Sequence, residues 1–280
     1  MHHISTLDDT KLYYKDWNLQ VADRAQRTVV LLSGWPFSAD SWEDQALAIA
    51  NAGHRVIAYD RRGFGRSSQP FSGYDYDTLA DDLHAVLRHT KAVNAVLVGF
   101  SMGGGEVARY LAKYPDNVAI KAAFIASVVP FKVVVSADAS GEAAAGYEKT
   151  KQAIMQDRPA FFMGFFEKFF GASDPATPVS DALLLWARNV ALQACLPATL
   201  GCLHAFSHTN FDADFQAITL PTLIIHGGDD KVVPITDAGR SKANANAATK
   251  LIEYPGAPHG LFATHKAQLT KDLLTFIGSA

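Results

Sequence analysis

A Gly-x-Ser-x-Gly pentapeptide, Gly99-Phe100-Ser101-Met102-Gly103, constrains this chain more than any other feature. Ahead of it, Val93 to Val98 is a short apolar run dense in β-branched residues, which reads as a buried strand. After it, Glu106 to Ala112 is a run of good helix formers. The pattern predicts a sharp strand-to-helix turn with serine at its apex. Flanking glycines avoid Cβ clashes there and let strand and helix approach closely. The first N–H groups of the helix then point at whatever the serine attacks, so Ser101 is a candidate nucleophile.

The surrounding pattern predicts an α/β chain. Strands are expected at Lys11 to Trp17, Thr28 to Leu32, Arg55 to Tyr59, and Ile120 to Ala126. A helix is expected from Ser41, as N-cap, to Ala52, with Gly53 at its end. Asp77 to His89 carries Leu79, Leu83, Val86 and Leu87 on one helical face. Such alternation implies a doubly wound, mostly parallel sheet. It stops at Pro130 and resumes at Pro221, with a strand at Thr222 to Ile225, a helix from Thr236, a strand at Leu251 to Tyr254 and a helix at His265 to Ile277. The expected organisation is one core, residues 1–130 and 216–280, with a helical cap insertion at 131–215.

A net charge of −3 offers no basic field for nucleic acid or an anionic membrane, so neither is expected as a partner. No apolar run approaches the roughly 20 residues of a membrane span. The start, Met1 to Thr6, lacks the pattern of a signal peptide. Cys195 and Cys202 are seven apart in an expected helix, roughly 10 Å along its axis and too far for a disulfide. These features fit a reduced, cytoplasmic protein.

A serine hydroxyl needs a base, and the base an orienting group. In open parallel sheets, ligands bind beyond the carboxyl ends of the strands. Asp229-Asp230 follows the Thr222 strand and His259 the Leu251 strand, giving the order Ser, Asp, His. The turn allows either aspartate to face inward. His204 and His208, four apart, could share a helix face as a metal pair, but no Glu follows His204 and no metal is expected. An oxyanion hole needs two N–H donors. Met102 follows the nucleophile, and Trp35 lies in the loop Ser33-Gly34-Trp35-Pro36 after the Thr28 strand. Phe161, Phe165 and Phe169 form one stripe, and Phe162, Phe166 and Phe170 a second. They either pack cap to core or roof an apolar acyl pocket. The expected pocket comprises Pro36, Phe161, Phe165, Phe169 and Val232.

With these residues assembled, the chain resembles the cofactor-free haloperoxidases, also described as perhydrolases and aryl esterases, of the α/β-hydrolase superfamily. The resemblance rests on Ser41-Trp42-Glu43-Asp44-Gln45, Tyr59 to Ser68, Gly73 to Thr78, Gly99 to Tyr110 and Ala257-Pro258-His259-Gly260, and is weakest in the insertion. It implies Ser101 as nucleophile, His259 as base and Asp230 as acid, because the family's acid lies 29 residues before its histidine. It implies Trp35 and Met102 as oxyanion donors and no cofactor. Ser33 departs from the histidine usual in the family, which bears on the rigidity of that loop. Pro36 matches the residue type of peroxidase-active members. The implied partners are a small acyl donor and water or hydrogen peroxide, with self-association left open. The alternatives are a γ-lactamase acting on small cyclic amides and a non-catalytic binding protein of the same fold.

Overall fold

The computed structural model describes residues 2–17, 27–131, 141–174 and 179–279. Its centre is an eight-stranded sheet in the order β1-β2-β4-β3-β5-β6-β7-β8. The strands are β1 (His3–Ser5), β2 (Lys11–Trp17), β3 (Thr28–Leu32), β4 (Arg55–Tyr59), β5 (Ala95–Phe100), β6 (Ala119–Ile125), β7 (Thr222–Gly227) and β8 (Thr249–Tyr254). The first two pair antiparallel, and the other six run parallel. Every residue of β3, β5 and β7 is buried, because helices cover both faces of the sheet.

The helices are α1 (Glu43–Asn51), α2 (Tyr76–His89), α3 (Met102–Lys113), the single turn α4 (Val128–Phe131), α5 (Glu142–Phe170), α6 (Asp181–Ala191), α7 (Leu196–His208), α8 (Asp212–Gln216), α9 (Asp237–Ala245), the single turn α10 (Leu261–Thr264) and α11 (Lys266–Gly278). Helix α1 packs with α11, while α2 packs with α3, α3 with α8 and α4 with α9. Helix α2 shows why these segments are helical. Asp75 caps it by accepting from the Thr78 N–H at 2.9 Å, and Leu79, Leu83, Val86 and Leu87 are all buried.

Several expectations shift. Ser41 does not cap α1. A one-turn 3-10 helix, Ala39–Trp42, precedes that helix and is capped by Ser38, and the Ser41 hydroxyl donates to the Ser38 carbonyl at 3.0 Å. The strand before the serine begins two residues later than its apolar run, because Val93 is exposed and Asn94 turns at φ +48°. It extends through Phe100, which pairs with Ile125. Strand β1 carries only one buried side chain, Ile4, too little to stand out as an alternating pattern. Cys195 precedes α7 rather than lying in it, and both cysteines are free thiols.

Helices α5 to α7 lie in the expected insertion and α8 ends one residue past it; residues 132–140 and 175–178 of the insertion fall outside the described residues. Helix α5 is broken at Asp157 (φ −155°), two residues before Pro159. Proline lacks an N–H and clashes with the preceding turn, so the second half starts afresh. The Asp157 carboxylate caps it by accepting from the Ala160 N–H at 2.9 Å. That second half carries the phenylalanines.

Candidate active site

Ser101 sits between β5 and α3 at φ +51°, ψ −117°, a strained backbone for a residue with a Cβ. Its neighbours hold it there. Its N–H donates to Ile125 O at 2.8 Å, and its carbonyl accepts from Gly104 at 3.1 Å and Val128 at 3.2 Å. The flanking glycines are required by close approach. A Cβ on Gly99 would lie 2.5 Å from the Gly103 carbonyl oxygen, and one on Gly103 would lie 2.6 Å from that of Leu32.

The Ser101 Oγ lies 2.9 Å from His259 Nε2, and His259 Nδ1 lies 2.6 Å from Asp230 Oδ2. Asp230 accepts only as a carboxylate, so Nδ1 carries the proton and Nε2 is free to accept from the serine. All three residues are buried. Asp230, not Asp229, reaches the histidine. Asp229 is exposed and lies beside Lys231 at 3.4 Å. The second Asp230 oxygen accepts from the N–H groups of Val232 at 2.9 Å and Val233 at 2.8 Å. Burial alone would raise this carboxyl. The charge and hydrogen bonds of His259 and His226 outweigh it and hold the group well below the usual carboxylate range.

Met102 is the first residue of α3, so its N–H has no partner within the helix. The loop bearing Trp35 comes against the serine: a Cβ on Gly34 would lie 2.9 Å from that of Ser101. The Trp35 side chain leaves this loop for the insertion, donating to Thr199 O at 3.1 Å and packing on Phe161, Phe162, Phe165 and Phe206.

Ser101 and His259 open onto a cavity of about 1010 Å³, whose walls include Trp35, Phe161, Phe165 and Val232. Phe169 and Pro36 do not line it, contrary to expectation. Phe169 is fully buried, its ring edge-on to the His259 imidazole with centroids 4.8 Å apart. Positions 161 and 169 are eight apart, about 800° of helical rotation, so one stripe drifts from the cavity into the core. Pro36 is buried and is joined to Trp35 by a cis peptide bond. The other stripe, Phe162, Phe166 and Phe170, is core. His204 and His208 stack at 4.1 Å away from this cavity, with His204 against the Tyr147 hydroxyl at 3.3 Å. Among the described residues no group of three or more His, Cys, Asp or Glu could hold a metal ion.

The α/β-hydrolase fold family model matches residues 27–266. The chain is 37% identical to a bifunctional esterase/perhydrolase of Acinetobacter calcoaceticus and 37% identical to a non-heme chloroperoxidase of Streptomyces lividans, each over 100% of both chains. This chain belongs to the non-heme haloperoxidase and perhydrolase family of α/β-hydrolases. Its structure is similar to the crystal structure of a bromoperoxidase from Bacillus anthracis, at 39% identity and a TM-score of 0.88, over 99% of this chain and 100% of that one.

The hydrolase contains supporting residues that spacing did not reveal. Arg61 and Glu106 form a fully buried ion pair, and the Tyr59 hydroxyl donates to Glu106 at 2.8 Å. The Arg61 guanidinium also donates to the Ser33 carbonyl at 2.5 Å. The loop that bears Trp35 is thereby tied to α3. Ser33, the departure from the family pattern, donates to the Ser38 carbonyl at 2.7 Å, which pins the same loop from its other side. His226 Nε2 donates to Val233 O at 2.7 Å and lies 3.3 Å from Asp230 Oδ2. Arg61 and Glu106 lie within the segments that carry the family resemblance, but nothing in their spacing pairs them.

Proposed function

We propose that this hydrolase transfers acyl groups through an ester on Ser101, with His259 as general base and acid and Asp230 orienting it. The observation that carries this is the continuous relay Ser101–His259–Asp230 on the floor of an apolar cavity. Ser101 Oγ attacks the carbonyl carbon of a small acyl donor while its proton passes to His259 Nε2. The N–H groups of Met102, at the start of α3, and of Trp35, in the loop against Ser101, are the donors for the developing oxyanion in this reading. Collapse expels the alcohol, which takes the proton from His259 and leaves the acyl-enzyme.

Water or hydrogen peroxide then attacks, giving its proton to His259. Release returns that proton to Ser101 and frees the acid or the peracid. The peracid transfers its terminal OH oxygen, with its proton, to halide and leaves as the carboxylate, so that the halide departs as hypohalous acid. No cofactor enters this sequence. Two relatives, named for esterase/perhydrolase and for chloroperoxidase activity, support peroxide as the second acceptor.

The test is hydrolysis of 4-nitrophenyl acetate beside peroxide-dependent bromide oxidation in acetate buffer, for the parent and for Ser101→Ala. Both activities are expected in the parent and neither in the variant. A fluorophosphonate probe should label the parent at Ser101 alone. Bromide oxidation that persists in Ser101→Ala would refute the shared acyl-enzyme.

A further inference from the structure

The solvent-facing side of the catalytic cavity carries charge of one sign. Where the wall is exposed, it consists of Gly146, Ala160, Gly164 and Pro234, which carry no charge, and of Lys149, Lys168 and Lys231. Among the described residues no carboxylate lines the cavity. The chain as a whole has more acidic than basic residues, 28 against 25, so this opening runs against the average. Lys231 shares its charge with Asp229 at 3.4 Å. Lys149 and Lys168 have no carboxylate partner among the described residues.

Behind the lysines the walls are aromatic, with Trp35, Phe161, Phe165 and Phe206 leading down to Ser101. A low-dielectric wall beneath charge of one sign focuses potential into the cleft. We infer that the preferred acyl donors carry a carboxylate at the far end of an apolar acyl chain, with the carbonyl at Ser101 and the anion among Lys149, Lys168 and Lys231. This rests on the acyl-transfer reading and names the substrate class for it.

The test compares two 4-nitrophenyl esters of equal chain length, the neutral octanoate and the suberate half-ester, each corrected for spontaneous hydrolysis. The readout is the ratio of kcat/KM, anionic over neutral. Exposed ion pairs contribute up to about 1 kcal/mol each, about fivefold. The double variant Lys149→Gln/Lys168→Gln should therefore lower the ratio about five- to twentyfold, with Lys231→Gln having the smaller effect.

In the unaltered protein, raising sodium chloride from about 20 mM to about 500 mM should also lower the ratio, because screening shortens from roughly 20 Å to roughly 4 Å. That measurement decides the matter alone if the double variant fails to fold. Turnover of both esters with a ratio indifferent to salt and to the substitutions would overturn the inference alone. Turnover of neither ester would overturn the acyl-transfer reading, and the inference with it.

Discussion

The Arg61 guanidinium donates to the Ser33 carbonyl from within a buried ion pair with Glu106. Glu106 lies on the first turns of the helix that Ser101 begins, and Ser33 lies two residues before Trp35. The two proposed oxyanion donors therefore sit on segments joined by one guanidinium.

Arg61→Lys keeps the charge opposite Glu106 but lacks the fork that reaches both partners. The kcat for 4-nitrophenyl acetate should fall about tenfold, which is about 1.4 kcal/mol. Arg61→Met would strand the buried carboxylate and should cost about 3–5 kcal/mol of stability. A lysine variant with full kcat and a lowered Tm would show that the pair supports only the fold.

Asp230→Asn should lower kcat by about 10⁴, the loss that the same change causes in the serine-protease triad by favouring the wrong histidine tautomer. Asp229→Asn should stay within about twofold, since that side chain is exposed and pairs with the exposed Lys231. Steady-state kinetics of the two purified variants settles the assignment. Equal losses would contradict it.

Phe169 and Phe161 should behave differently although they were expected to act together. Phe169→Ala removes a buried ring from the His259 imidazole and should cost about 3–5 kcal/mol of stability, with a fall in kcat. Phe161→Ala changes a half-buried cavity wall. It should raise KM for long-chain esters while leaving acetyl ester kcat within about twofold. Urea melts and a chain-length series distinguish the two outcomes.

Acid should expose the role of Asp230 in stability. Its carboxyl is held below the unfolded-state value of about 3.9, so ionisation favours the folded state. That contribution is complete above about pH 4 and is lost as pH falls through the lower folded value. The stability gap between the parent and Asp230→Asn, measured by urea unfolding, should therefore narrow as pH falls below about 4. A gap that widened over that acid range would reverse the sign.

The strand–helix alternation, the serine turn and the order Ser101, Asp, His259 are all legible along the chain. Those are local signals: β-branched runs, a helical face such as Leu79-Leu83-Val86, and glycines where no Cβ fits. The turn's own residues leave both aspartates open, and the family's 29-residue spacing points to Asp230. The physical reason lies in the folded turn, whose direction is fixed by the Val232 and Val233 N–H groups on Asp230. Only the structure divided the phenylalanines, because helical drift carries Phe169 to His259 while Phe161 meets Trp35. It alone revealed the tether from Arg61 to Ser33, since residues 28 positions apart meet there through sheet pairing that no local spacing records.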